Sequence, residues 1–188
     1  HLVSIIIPCY NHEIFVKDTI QSVIDQTYQN IELIIIDDGS IDKSTCKIQE
    51  MTHLCEQRFV RFEFRTRPNK GLSATLNEAV EWCKGEYFSA IASDDIMLDK
   101  KTAIHFNILN ENQHITAVCG GAIIIDKNNN KIDTLLYENR EYNFENIILH
   151  QHILPAPTQM IRMKVLEKIG GYKSYLIIED WYMWLKLS

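Results

Sequence analysis

Three places in this sequence set two acids side by side: Asp37-Asp38, Asp94-Asp95 and Glu179-Asp180. Adjacent carboxylates repel each other, and at the end of a buried strand they also lose hydration, so such pairs need a compensating partner. Asp37 and Asp38 close the apolar run Glu32-Leu-Ile-Ile-Ile-Asp37, and Asp94 and Asp95 follow Tyr87-Phe-Ser-Ala-Ile-Ala92. A hard divalent cation meets the need where phosphates share the crevice. Mg²⁺ or Mn²⁺ takes one or two carboxylates, and substrate phosphates and water complete its shell. The ion's charge offsets both the carboxylate repulsion and the phosphates. Plainer readings stand beside this one. Asp37-Asp-Gly-Ser40 also reads as a tight turn and helix cap, and Ser93-Asp-Asp95 as a cap for a helix from Asp99. Glu179-Asp180 also reads as favourable acids at a helix N-terminus. Caps alone do not explain doubled acids at two strand ends.

Two further groups could carry chemistry. On a strand, His150 and His152 would share one face and could bind a metal. No third ligand of suitable spacing accompanies them, so they read better as part of a loop. Cys9 ends the first apolar run without an adjacent histidine base, which argues against a catalytic thiol.

The elements that must position these groups alternate along the first hundred or so residues. Strand patterns over Val3–Pro8, Glu32–Asp37, Phe59–Arg65 and Glu86–Ala92 are separated by helical patterns over His12–Gln26, Asp42–Gln57 and Leu72–Cys83. Alternation of this kind predicts βαβ units and a mostly parallel sheet. The nearly continuous apolar character of the strands predicts that both sheet faces are covered. Ligands of such sheets lie beyond the carboxyl ends of the strands, which is where the first two acid pairs fall. The second half reads as a long strand over Thr116–Ile125 and a hairpin into Ile132–Leu136. A helix around Phe144–Leu149, a short strand Gln159–Arg162, a short helix Lys164–Ile169 and a last helix Glu179–Leu187 follow.

Bulk properties narrow the function. The chain has 188 residues, a formal net charge of −6 and no Lys/Arg block. Nucleic-acid binding and polybasic membrane attachment both need a basic footprint, so neither is expected. No apolar run approaches the ~18 residues of a transmembrane helix. The five cysteines lack a C-x-x-C pair and read as reduced residues of a cytoplasmic protein. Both ends read as cuts, with a truncated C-terminus. No G-x-G-x-x-G follows a strand, which disfavours a Rossmann dehydrogenase.

Taken in order, Val3-Ser-Ile-Ile-Ile-Pro-Cys-Tyr-Asn11, Asp37-Asp-Gly-Ser40, Asn69-Lys-Gly-Leu-Ser-Ala74 with Asn77, Ser93-Asp-Asp95, Gly170-Gly-Tyr172 and Glu179-Asp180 resemble the GT-A glycosyltransferases of family 2. The resemblance implies an α/β fold: a GT-A, Rossmann-like, mostly parallel sheet flanked by helices, with a smaller mixed or antiparallel acceptor-side portion. Residues 1–188 would form one domain, about 1–98 holding the nucleotide sugar and about 99–188 facing the acceptor. It implies an inverting, metal-dependent hexosyl- or N-acetylhexosaminyl-transferase that takes a UDP-sugar donor, with Mn²⁺ or Mg²⁺ as cofactor. Its acceptor would be a hydroxyl of a saccharide or lipid-linked saccharide.

Carried over residue by residue, Pro8 and Tyr10 would line the nucleotide pocket, Asp38 would bind the base, and Gly71 and Ser73 would lie against the nucleotide. Asp94 would face the ribose or donor sugar, Asp95 would bind the metal, and Asp180 would be the catalytic base. Glu179 and Trp181 are the acceptor-side candidates, while Trp184 reads better as core packing. The chain departs from the pattern in lacking an arginine in the Gly71-Leu72-Ser73 turn and in having Tyr182 where an aspartate is frequent. By analogy the pathway would be bacterial surface polysaccharide biosynthesis, in the cytoplasm or at the inner face of the membrane. Two alternatives stay open. One is a catalytically silent nucleotide-binding or interaction module. The other is a sugar-nucleotide nucleotidyltransferase, which calls for a Gly-rich basic loop where Pro8-Cys-Tyr-Asn-His12 stands.

Overall fold

The computed structural model describes residues 1–173, 176 and 178–188. Two β-branched, apolar strands form its centre: β1 (Val3–Cys9) pairs in parallel with β2 (Ile31–Asp37), from Val3 opposite Ile31 to Cys9 opposite Asp37. β3 (Arg61–Thr66) flanks β2, and β4 (Tyr87–Ala90) flanks β1 on the other side, both parallel. The helices α1 (Val16–Ile24), α2 (Ser44–Arg58) and α3 (Leu72–Trp82) connect them.

Side chains alternate across a strand, so each apolar run feeds two cores. On one face Ile5, Ile7, Leu33 and Ile35 pack with Val16, Ile20 and Val23 of α1 and Ile48, Met51 and Cys55 of α2. On the other, Ile6, Ile34, Ile36 and Phe88 meet Leu76 and Ala79 of α3. Two expectations need correction. β3 is a half-exposed edge strand rather than one covered on both faces. The spacing of Leu72, Leu76, Ala79, Val80 and Cys83 predicts one apolar helix face, but Leu72 is exposed and Ser73 and Thr75 are buried, because the first turn of α3 faces the acid-bearing edge rather than the core.

The second half contributes α4 (Lys101–Glu111), β5 (Ala117–Val118), β6 (Ala122–Ile125), β7 (Lys131–Leu135), α5 (Phe144–Ile148), β8 (Met160–Arg162), α6 (Met163–Ile169) and α7 (Glu179–Leu187). β8 inserts antiparallel between β4 and β5, giving the six-stranded order β3-β2-β1-β4-β8-β5, and β6-β7 make a separate hairpin. The expected long strand over Thr116–Ile125 is therefore two strands. The chain leaves the sheet at Gly120-Gly121, where the Gly120 amide donates to Thr158 Oγ1 at 3.1 Å. A Cβ at Gly121 would sit 2.6 Å from the Leu135 carbonyl oxygen, so the hairpin closes only over glycine.

Asn77 of α3 and Gly171-Tyr172 form a long-range clasp. Asn77 Nδ2 donates to the Tyr172 carbonyl, and the Tyr172 amide donates to Asn77 Oδ1, both at 2.8 Å. This clasp ties the start of the segment leading to α7 to α3 in the first half of the fold. No helix among the described residues is long and apolar enough to cross a membrane.

Candidate functional site

Because β1 lies between β2 and β4, the acids that close those two strands share one sheet edge. The loops around that edge interlock. The Asn11 amide donates to Ser40 Oγ at 2.9 Å, and the Ile41 amide returns a bond to Asn11 Oδ1 at 2.9 Å. Two residues on, the Glu13 amide donates to Asp42 Oδ2 at 3.0 Å and the Lys43 amide to Glu13 Oε2 at 2.7 Å. Asn11 takes a left-handed φ of 56° to complete the arrangement. Pro8 lies within β1 and is half-buried, and Tyr10, just beyond the strand, is exposed.

Asp37 and Asp38 behave differently. Asp37 is buried, and its Oδ2 accepts the Ser40 amide at 3.1 Å and Thr66 Oγ1 at 3.0 Å, which is a turn-forming role. The helix-cap reading of this pair fails, since α2 has Lys43 at its cap position without a side-chain cap. Asp38 reaches across to the turn before α3. It accepts the Lys70 amide at 2.8 Å and the Gly71 amide at 2.9 Å, and it pairs with the Arg67 guanidinium. Arg67 in turn bonds Glu78 at 2.7 Å and Thr75 Oγ1 at 2.9 Å. Gly71 sits at φ 86°, where a side chain is strained, and Ser73 follows, buried in the first turn of α3.

Asp94 is exposed and Asp95 half-buried. Burial, then the neighbouring Asp94, pushes the Asp95 carboxyl above its ordinary range. His12 stands over the pair, with Nδ1 2.8 Å from Ser93 Oγ and 3.6 Å from Asp94 Oδ1. The cap reading fails here too, because α4 begins at Lys101 with an uncapped Lys100 before it. From Asp95 a mostly apolar cleft of about 500 Å³ runs between α4 and the β6-β7 hairpin. Lys101 and His105 line it. Lys101 Nζ donates to Ser89 Oγ at 3.1 Å and to the Pro157 carbonyl at 3.0 Å. Burial brings its pKa down to about 8, and burial together with Lys101 brings His105 down to about 4.

These groups fit a divalent cation of one kind. Among the described residues, no three His, Cys, Asp or Glu side chains are grouped to hold an ion by themselves. An acid pair whose inner member is destabilised as an anion suits a cation that draws the rest of its shell from phosphates and water. Cys9 is buried, and burial raises its thiol pKa, so it stays protonated and unreactive.

Asp180 lies in the first turn of α7, and its Oδ1 accepts the Trp181 amide at 2.7 Å. Glu179 beside it is half-buried, and that burial raises its pKa. The structure brings the two histidines to this place. The His150 ring lies nearly flat on Trp181, with centroids 5.1 Å apart and planes at 12°. His152 meets Trp184 edge-on at 5.3 Å and stacks with His150 at 6.2 Å. One face of Trp181 is therefore occupied by His150.

Comparison with known proteins now bears on this arrangement. The sequence model of Glycosyl transferase family 2 matches residues 4–170. The chain belongs to that family. It is 31% identical over 193 residues to an uncharacterized glycosyltransferase of Rickettsia felis, covering 99% of this chain and 31% of that protein. It is 27% identical to an uncharacterized glycosyltransferase of Methanocaldococcus jannaschii, covering 98% of this chain and 64% of that protein. The chain thus spans less than two thirds of either relative. In fold, this family 2 chain is similar to S. aureus TarS residues 1–349 in complex with UDP-GlcNAc. The TM-score is 0.78 at 17% identity, over 100% of this chain and 53% of that one. It is also similar to the mannosyltransferase PcManGT of Pyrobaculum calidifontis in complex with GDP-Man and Mn²⁺. There the TM-score is 0.73 at 14% identity, over 96% of this chain and 50% of that one. At these identities the structural likenesses bear on the fold alone. The GT-A fold of a family 2 glycosyltransferase is the fold described above.

The sequence reading of this family 2 chain passed over Arg67, His12, Lys101 and His105. Arg67 follows an edge strand and looks like a surface cation. Its partners Asp38 and Glu78 lie 29 and 11 residues away, and no local pattern joins them.

Proposed function

We propose that the chain transfers a sugar from a uridine diphosphate sugar to an acceptor hydroxyl, with inversion at the anomeric carbon. The observation that carries this reading is the placement of two acid pairs on one sheet edge by the β2-β1-β4 order, in a chain of glycosyl transferase family 2. The UDP and UDP-GlcNAc held by TarS supply the donor class, and the GDP-Man held by PcManGT supplies the competing one to test. The acceptor is a saccharide or lipid-linked saccharide.

In this reading Pro8, Tyr10, Gly71 and Ser73 line the nucleotide pocket. Asp38 faces the base while fixing the Lys70-Gly71 turn. Asp94 orients the donor sugar or ribose, and Asp95 holds the cation. When bound, Mn²⁺ or Mg²⁺ offsets the negative charge that accumulates on the leaving diphosphate. Asp180 accepts the acceptor's proton as its oxygen attacks, because a hydroxyl with a pKa far above 7 needs a base within hydrogen-bond reach. The new bond joins that oxygen to the anomeric carbon. The bond from that carbon to the diphosphate breaks, and its electron pair leaves with UDP. The attack comes from the face opposite the diphosphate, so no covalent enzyme intermediate forms. Glu179 and Trp181 lie on the acceptor side of Asp180.

The test is a thermal-shift screen of UDP and GDP sugars with and without Mn²⁺, since a ligand of the native state raises the melting temperature. UDP sugars with Mn²⁺ are expected to give the largest shift, and Asp95→Ala to remove its metal-dependent part. Metal-independent shifts in both proteins would overturn the assignment of Asp95. Binding without turnover against saccharide acceptors would make the chain a silent nucleotide-binding module.

A further inference from the structure

His150 follows the C-terminus of α5 and turns its ring towards α7. Its φ is 55°, in the left-handed region, where asparagine, aspartate and histidine are the non-glycine residues most often found. The left-handed step closes the C-terminus of α5, just beyond the cap residue Leu149. The His150 amide closes α5 on the Ile147 carbonyl at 3.1 Å, and the next amide, of Gln151, bonds the Asn146 carbonyl at 2.8 Å. The left-handed step swings the His150 ring out of that turn and onto Trp181 at an interplanar angle of 12°.

The contact made in this way is aimed at one place. Trp181 follows Asp180 directly, and the Trp181 amide is donated to the Asp180 carboxylate at 2.7 Å. Fixing the Trp181 ring and backbone therefore fixes the partner that orients that carboxylate. A second contact, His152 against Trp184 one turn along α7, sets the rotation of the helix about its axis. α7 has no side-chain cap of its own at Ile178, so its first turn depends on outside contacts for order.

We infer that His150 is a positioning residue for Asp180: its left-handed backbone and its flat stack on Trp181 hold the first turn of α7 and, with it, the orientation of the carboxylate. The inference rests on the assignment of Asp180 as the base. The ring acts as a flat aromatic surface, and its nitrogens take no part in the chemistry.

The experiment compares His150→Asn, which tolerates the left-handed backbone but removes the ring, with His150→Phe, which keeps a flat ring. Amide hydrogen exchange of Trp181 and Tyr182 reads the order of the first turn directly and needs no substrate. His150→Asn is expected to speed that exchange about 10-fold, with His150→Phe close to the parent. With the UDP-sugar donor and Mn²⁺, His150→Asn is expected to lower kcat about 10-fold at unchanged donor KM, and His150→Phe to restore it. Unchanged exchange in His150→Asn overturns the inference. So does His150→Phe behaving like His150→Asn, which would make the imidazole itself the active group. An active parent whose kcat is untouched by His150→Asn overturns it as well. A parent that exchanges as expected but turns over no donor leaves the positioning of the turn upheld and removes the transferase reading instead.

Discussion

Asp38 Oδ2 accepts the backbone amide of Gly71 at 2.9 Å, so the carboxylate that follows β2 fixes the glycine that opens α3. The same carboxylate holds the Lys70 amide and Arg67. Asp38→Ala leaves those donors without an acceptor in a nearly closed environment. The expected cost is about 2–3 kcal/mol of stability, from the loss of hydrogen bonds to a charged group. Urea unfolding measures it. UDP binding should weaken in the same variant, since the turn proposed to lie against the nucleotide is released.

Asp180→Asn keeps the shape of the side chain and removes its basicity. Turnover of the UDP-sugar donor should fall about 10²- to 10⁴-fold, the range typical of lost general-base assistance. Donor binding followed by isothermal calorimetry should be unchanged, because the proposed place of Asp180 is on the acceptor side.

Far from the site, Glu32 is fully buried in β2 and pairs with Arg61 at 2.8 Å. Glu32 also accepts the Lys84 amide at 2.6 Å and the Gly85 amide at 3.0 Å. Arg61→Ala removes the cation and leaves an uncompensated buried carboxylate, which should cost about 3–5 kcal/mol. Chemical denaturation reads the loss, and turnover per folded molecule at low temperature should match the parent.

His105 gives the pH dependence a sign. Burial holds its folded pKa down to about 4, against an ordinary value of 6.5. Between these values the unfolded chain takes up a proton that the folded chain refuses. Stability is therefore lost as pH falls through 6.5 towards 4, and the loss levels off below the folded pKa. The unfolding free energy of the parent minus that of His105→Gln should drop by about 3 kcal/mol between about pH 7 and pH 4. A pH-independent difference would falsify the assignment of this histidine as neutral and buried.

The first half of the fold was legible because its elements announce themselves locally. Val3–Cys9 and Ile31–Asp37 are long β-branched runs, and their continuous apolarity foretold helices on both faces. The start of α7 at Glu179 agreed with expectation to the residue. Thr116–Ile125 misled, because its apolar pattern continues through Gly120-Gly121 while the backbone does not. The break depends on a close approach to the Leu135 carbonyl that no local pattern reveals. The insertion of β8 between β4 and β5 was hidden for a similar reason, since strand order is a long-range property. At the candidate site, the acids and their shared edge were readable from spacing. The groups that orient them were not. Arg67 acts through partners distant in sequence, and it resembles an ordinary surface cation until those partners are placed.

The reciprocal bonds between Asn11 and Ser40-Ile41, repeated by Glu13 and Asp42-Lys43, have a consequence for how this chain can vary. Each loop supplies the acceptors that the other's amides require, residue against residue. A one-residue insertion in either loop would put every donor out of step with its acceptor, and only a matching change in the other would restore them. The two loops therefore vary in length as a pair. A shuffled or engineered chain that exchanges one of them should exchange both.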